Sequence, residues 1–365
     1  MIQEVRNYRD LKRFVYFVRE LYQAEPHYVF PIFSMLKKEL RKEVLTDKKY
    51  RAIMFVDGRK VLGRLLYTYE PHKQTQKTVC YFSFFDAIDD ILVVEALFGY
   101  MEQDMLQNQV SYAEGTFSPY DPDTRRGILI KGFDVDPTLF TSYNYLYYQD
   151  LLEHCGYQKA YDTYSLKAEV SEESKRRLDT IANFVQRRLD VRVDSIDFKR
   201  LENDLEDVHQ ILEVATTDLN YQDPPSMDRI RKVAKNLKFF INPNLIVIAR
   251  ENQTNRPIGF CLVLPDYNQV LKKLKGRLNI LKLLIERKKI TKARGMMQYV
   301  IPEYQTSGLI GHLFKSVYDH FGELGIIEFE AGTMLEENLK PLSVFDKFGG
   351  KIIKTYRIYG KEVSL

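Results

Sequence analysis

The sequence holds no tryptophan and only three cysteines, Cys80, Cys155 and Cys261, among 365 residues. Thiols that are odd in number, far apart and without ligand spacing exclude a disulfide framework and give no zinc motif, so the usage fits a reducing compartment. Histidine is scarce, with six residues. His312 and His320 stand too far apart along one expected helix to share an ion, and no metal is expected. No apolar run approaches the roughly 20 residues that a membrane-spanning helix needs. The start, "MIQEVRNYRDLKRF", is charged throughout and lacks the apolar centre of a secretory leader. A cytoplasmic protein without a transmembrane segment is the expectation. Excess charge is small too: a net +4 does not by itself imply nucleic acid.

What is present is the profile of a folded chain, 45% hydrophobic and 28% charged. Its length allows two domains with real cores. Aromatic bulk comes from 25 tyrosines and 22 phenylalanines, which predicts aromatic interiors or clefts.

Leu11, Phe14, Val15, Val18, Leu21 and Tyr22 mark one face of a helix over residues 8–23. A hairpin with an Asp57-Gly58 turn follows. Next come the strand "KTVCYFSFFDAI", the helix "ILVVEALFGYMEQDMLQ", the strand "VSYAEGTF", and a closing helix and strand that end near residue 168. After a charged helical connector the order repeats: strand, helices, the hairpin "NLIVIARENQTNRPIGFCLVLPD", the strand "ARGMMQYVI", the helix "SGLIGHLFKSVYDHFGELG" and the strand "IIEFEAG". "VLGRLLYTYE" resembles "PIGFCLVLPD", and "LLEHCGYQKAYDTYSL" resembles "VFDKFGGKIIKTYRIY". Gly63 to Gly156 and Gly259 to Gly349 both span roughly 90 residues, as a duplicated unit predicts. The expected fold is α+β, two tandem domains over 1–168 and 191–365 joined by a connector at 169–190, each a mixed, mostly antiparallel sheet flanked by helices.

The stretch "QYVIPEYQTSGLIGHLF" (298–314) takes a strand through a small polar turn into a helix. The first N–H groups of a helix lack intrahelical partners and sit at the positive end of its dipole. A glycine there lets an anion approach the backbone. In its context this stretch resembles the pyrophosphate turn of the GNAT acyl-CoA N-acyltransferase superfamily, V-x-P-x-x-Q/R-x-x-G-x-G/A. Val300, Pro302, Gln305 and Gly308 match; Ile310 stands where a small residue belongs. Downstream, Asn338, Pro341, Phe345 and Gly349 resemble the family's closing element.

The resemblance implies an acyl-CoA co-substrate, acetyl-CoA or another. It would be held by Val300, Gln305, Thr306, Ser307, Gly308 and Asn338, with an amine on a small molecule or peptide as acceptor. The corresponding junction of the first half has no such turn and carries Asp86, Asp89 and Asp90, which repel an anion, so no CoA site is expected there.

Acylation needs a base for the amine and an acid, or solvent, for the leaving thiolate. Glu328 and Glu330 share one strand face, with Glu330 the candidate base and Glu328 the second choice. A tyrosine is the family's usual acid, but Phe345 occupies that position and cannot donate a proton; Tyr299 is the substitute considered. Clustered Tyr143, Asn144, Tyr147 and Tyr148, with Arg125 and Arg126, suggest an acceptor pocket.

The most basic stretch runs from Lys272 to Arg294, with Leu278, Leu281, Leu284 and Ile285 at helical spacing. A solvated basic face over a packed apolar stripe is one reading; an anionic substrate, a membrane surface or a charged RNA is another. Three functions stay open: an acyl-CoA-dependent N-acyltransferase, a non-catalytic GNAT-like ligand-binding protein, and a Fem-type aminoacyltransferase using charged tRNA. Nucleic acid is not the expected partner.

Overall fold

The computed structural model describes residues 1–72, 75–116, 127–217, 224–237, 241–337 and 349–364. Asn338, Pro341, Phe345, Arg125 and Arg126 lie outside the described residues. In chain order the strands are β1 (Ile2–Glu4), β2 (Arg51–Asp57), β3 (Lys60–Pro71), β4 (Thr78–Ala87), β5 (Tyr112–Gly115), β6 (Ile128–Lys131), β7 (Gln158–Glu169), β8 (Val191–Ser195), β9 (Ile246–Glu251), β10 (Pro257–Pro265), β11 (Lys292–Val300), β12 (Glu328–Leu335) and β13 (Lys351–Glu362). They form one continuous sheet in the order β1-β2-β3-β4-β5-β13-β7-β12-β11-β10-β9-β8, with β6 beside β13.

Two pairs are parallel, β4 with β5 and β11 with β12; the other ladders are antiparallel. The closing strands change places. β7, from the first half of the chain, pairs with β12; β13, from the last, pairs with β5. Each half is thus completed by the other half's strand, and β7 pairs with β13 at the seam.

Among the described residues the α-helices are α1 (Tyr8–Leu21), α2 (Phe33–Leu40), α3 (Ile91–Gln107), α4 (Tyr148–His154), α5 (Glu172–Arg188), α6 (Leu201–Ala215), α7 (Met227–Leu237), α8 (Asn268–Leu274), α9 (Ile280–Glu286), α10 (Leu309–Tyr318) and α11 (Phe321–Leu324), and a π-helical turn at Arg41–Thr46 follows α2. Local signals start and stop them. Asn7 accepts from the Asp10 amide at the start of α1, and Asp90 from that of Leu92 at α3. Ser171 caps α5, which opens on Glu172 and Glu173 and closes on Arg187 and Arg188, complementing its dipole. The single helix expected over 307–325 is two, α10 and α11, broken at Asp319 and His320.

One apolar core lies in the C-terminal half and two pack on the strands of the N-terminal half. In the latter, Tyr22 stacks on Tyr28 with centroids 3.8 Å apart and on Tyr145 at 5.0 Å. Stacked tyrosines supply the bulk that tryptophan would otherwise bring.

Candidate functional site

β11 and β12 stay paired only from Lys292/Glu328 to Gly295/Ala331, then separate. At the fork β11 carries a bulge: Leu262 faces Met297 while Val263 faces Gly295, which leaves Met296 as the extra residue. Beyond it, the Ile301 amide donates to the Ile258 carbonyl. Alternate residues of an antiparallel ladder bond in alternate directions. The main-chain groups of Gln298 and Val300 therefore point away from β10, towards the opened edge. Gln305 Nε2 donates to the Val300 carbonyl at 3.3 Å.

The strand ends in the turn before α10. Ser307 Oγ donates to the Tyr304 carbonyl at 2.6 Å and accepts from the Leu309 amide at 3.2 Å. Gly308 is the N-cap with φ +84°, a left-handed conformation that suits glycine. A Cβ there would also stand 3.3 Å from Val185 on α5. Among the described residues, the amides of Thr306, Gly308 and Ile310 have no hydrogen-bond partner. Three such amides at a helix start can receive an anion. Gln305 and Thr306 are exposed, and Ser307 and Gly308 are half-buried. The residues present thus fit the diphosphate and amide-bearing arm of a CoA thioester.

At the fork itself lies a buried charge cluster. Glu330 Oε2 is 3.0 Å from Lys354 Nζ, and its Oε1 accepts from Thr138 Oγ1 at 2.9 Å. Thr138 Oγ1 in turn accepts from Arg294 Nη1 at 2.7 Å. Arg294 Nη2 donates to the Gly332 carbonyl at 2.9 Å. Burial pushes the Lys354 ammonium below its ordinary value, opposed by Glu330. Nearby Asp266 accepts from the amides of Leu139 and Asn268. Burial, outweighing those bonds, pushes its carboxyl up to about 6. Glu328 shares Glu330's strand face but lies between Lys167 and Lys292. Partial burial raises its carboxyl; the two ammonium groups prevail and hold it below the ordinary range. Both candidate carboxylates are therefore engaged in ion pairs. The ring of Tyr299 packs 5.8 Å from that of Phe260.

A cavity of about 770 Å³ lies between the halves. Its apolar walls are Leu205, Val208 and Leu212 of α6, Ile230 and Val233 of α7, the sheet residues Phe260, Leu262, Leu264, Met296 and Met297, and most of the N-terminal segment at 28–36; Glu39, Lys49, Arg64, Glu70, Asp204 and Arg229 add charged groups to the lining. Residues Pro137 to Thr141, next to the charge cluster, close one side.

Of the four residues expected to form an acceptor pocket, Tyr143 lines this cavity. Its hydroxyl meets Glu25 and the Phe133 carbonyl, and burial is the main force raising its pKa. The other three are not among the lining residues. Asn144 is buried and bonds the Leu129 backbone, Tyr147 donates to the Ala87 carbonyl, and Tyr148 is fully buried beside Tyr22. Sequence reasoning did not foresee residues 28–36 or α6–α7 as walls. "YVFPIF" (28–33) was the available signal, an aromatic run broken by proline with no period.

In the first half, Asp86 at the end of β4 is fully engaged. Arg64 is buried with Nε and Nη2 on Asp86 Oδ2 at 2.9 and 2.6 Å, and Tyr22 donates to Asp86 Oδ1. Asp90 is consumed as a helix cap, and Asp89 is exposed.

The basic stretch corrects one expectation. Leu278, Leu281, Leu284 and Ile285 do not form a packed stripe; all four are exposed, and Leu283 is the buried residue of α9. Among the described residues no group of His, Cys, Asp or Glu is arranged to hold a metal, and no helix is long and apolar enough to cross a membrane.

No protein-family model matches the chain. Two curated relatives align along nearly all of it. One, from Caulobacter vibrioides (strain NA1000 / CB15N), bears the name bacterial ceramide synthase and is 25% identical over 383 residues, covering 98% of this chain and 96% of its own length. The other, Protein YghO of Escherichia coli (strain K12), is 25% identical over 378 residues, with 100% and 95% covered. Among solved structures, a tandem GNAT protein from the clavulanic acid biosynthesis pathway superposes with a TM-score of 0.59 at 10% identity, covering 100% of this chain and 99% of that one. A GCN5-related N-acetyltransferase from Sphaerobacter thermophilus superposes at 0.56 and 11% identity, with 100% and 96% covered. The chain has the tandem GNAT fold.

Proposed function

We propose that the protein transfers an acyl group from a CoA thioester to the amino group of a long-chain aliphatic amine, forming an amide. One observation carries this reading: the open strand edge and the apolar cavity share β11, with Met296 and Met297 lining the cavity beside the fork. A thioester laid along the backbone of Gln298 and Val300, its diphosphate on the Thr306, Gly308 and Ile310 amides, would bring its carbonyl to the mouth of that cavity. An apolar cavity of this size suits an alkyl chain, whose transfer from water is favourable along its whole length. The relative named a ceramide synthase adds support, since a ceramide is the amide of a fatty acid and a long-chain amino alcohol.

In this reading the C-terminal half binds the thioester, and residues 28–36 of the N-terminal half shape the acceptor site. The amine gives up its ammonium proton to solvent and its nitrogen attacks the carbonyl carbon; the C–S bond breaks, the N–H proton surplus to the amide passes to solvent, and the thiolate takes a proton. Tyr299, on the same strand, is the candidate donor of that proton, with solvent as the other source. Glu330 is a positioning residue: with Arg294 it grips Thr138 and so fixes the 137–141 wall. Its oxygens are engaged by Lys354 and Thr138, so the ammonium proton is not routed through it.

The test is release of CoA thiol from a panel of acyl-CoAs with a long-chain amine, with the amide identified by mass. Amine-dependent thiol release is expected. Binding of acyl-CoA without it would leave a ligand-binding protein and overturn the reading.

A further inference from the structure

Residues 275–289 form the most unusual surface of the molecule. Lys275, Arg277, Lys282, Arg287, Lys288 and Lys289 stand against one acid, Glu286. Between them the large apolar side chains face outwards: Leu281 is 74% exposed, Ile285 66% and Ile280 59%, with Leu278 and Leu284 also exposed. Leu283 points the other way, into the core of the C-terminal half. A helix apolar all round is one that is buried, and α9 is covered on one side only. The turn before it is anchored at the cavity. The Phe33 amide donates to the Gly276 carbonyl at 3.2 Å, and a Cβ on Gly276 would lie 2.3 Å from the Phe33 ring. Leu271 of α8 and the partly exposed Met35 both belong to the cavity wall.

We propose that this surface docks on an anionic lipid bilayer. Ile280, Leu281, Leu284 and Ile285 enter the acyl boundary while the surrounding cations meet headgroup phosphates, and the cavity rim at Met35 turns towards the lipid. Apolar centre and basic surround are the pattern of interfacial helices. Each cation near an anionic surface strengthens binding about fivefold. A second copy of the chain is disfavoured as occupant, because a two-fold contact would oppose two basic faces. RNA is disfavoured because residues 275–289 contain no aromatic side chain for base stacking. The docking surface stands on its own; only the identity of what enters the cavity rests on the proposed function.

The experiment uses the full chain and co-sedimentation with vesicles of phosphatidylcholine alone or mixed with phosphatidylglycerol. Binding is expected to the mixed vesicles and to weaken with salt. Leu281→Asp with Ile285→Asp should reduce it tenfold or more, as should Arg287→Gln with Lys288→Gln. Because these side chains are exposed, melting temperature and thiol release with a soluble short-chain amine should hold in both variants. Equal binding by the Leu281→Asp/Ile285→Asp variant, no binding of the unaltered protein to mixed vesicles at low salt, RNA binding in place of vesicle binding, or a lipid-free dimer that this variant converts to monomer would each overturn the proposal. Loss of vesicle binding leaves soluble-amine turnover to judge the proposed function separately.

Discussion

Lys354 on β13 reaches across β7 to Glu330 on β12, Nζ to Oε2 3.0 Å, with both side chains buried. The pair ties the exchanged strand to the fork where β11 and β12 part, adding a buried side-chain link to the β7–β13 ladder at the seam. Lys354→Met would leave Glu330 with Thr138 and the more distant Arg294. Removing one partner of a buried pair costs about 3–5 kcal/mol, and urea unfolding should register a loss of that order. A change below 1 kcal/mol would mean that the pair contributes little to holding the seam.

Asp266 should make stability depend on pH in a stated direction. Its folded pKa of about 6 lies above the ordinary 3.8, so the folded protein holds this proton more tightly than the unfolded chain. The resulting penalty is absent below pH 3.8, grows as pH rises to about 6, and is then constant, on the order of 3 kcal/mol at most. Asp266→Asn keeps an acceptor for the Leu139 and Asn268 amides and removes the penalty. Its melting temperature should exceed that of the unaltered protein at pH 7.5, with the gap closing near pH 4. A gap that is the same at both pH values would contradict the assignment.

The anion turn is best probed at Ser307, not at Gly308. Any larger residue at Gly308 strains a left-handed φ and crowds Val185, so lost binding there would not separate ligand from fold. Ser307→Asp puts a negative charge beside the three amides while remaining favourable for a helix start. A modest fall in melting temperature, from the lost bond to the Tyr304 carbonyl, is expected, with at least tenfold weaker acyl-CoA binding by calorimetric titration. Unchanged affinity would remove the diphosphate from this turn.

Much of this was legible in the chain. The Asp57-Gly58 turn, the charged helical connector and the strand-turn-helix at 298–314 are local signals, and the fold places an element at each. What stayed hidden is non-local. The exchange of β7 and β13 leaves no mark in either strand, because a strand's alternation does not name its neighbour. The partners of Glu330, Lys354 by an ion pair and Thr138 by a hydrogen bond, stand 24 and 192 residues away in sequence. Periodicity also drew Leu281 and Ile285 as a packed stripe, since apolar spacing reports a helix and not which side of it is covered.

Val208 of α6 lines the cavity. Val208→Trp should fill part of it and lower kcat/KM for an 18-carbon amine tenfold or more relative to a four-carbon amine, while acyl-CoA affinity holds. An equal effect on both amines would argue that the chain does not lie there.

Amide formation measured across a series of primary alkylamines from four to eighteen carbons tests the central claim most directly. If the apolar cavity receives the amine's chain, kcat/KM should climb with length, by up to about fourfold per buried methylene at roughly 0.8 kcal/mol each, and level off once the cavity is full. A flat series, or one that favours the shortest amine, would contradict the account.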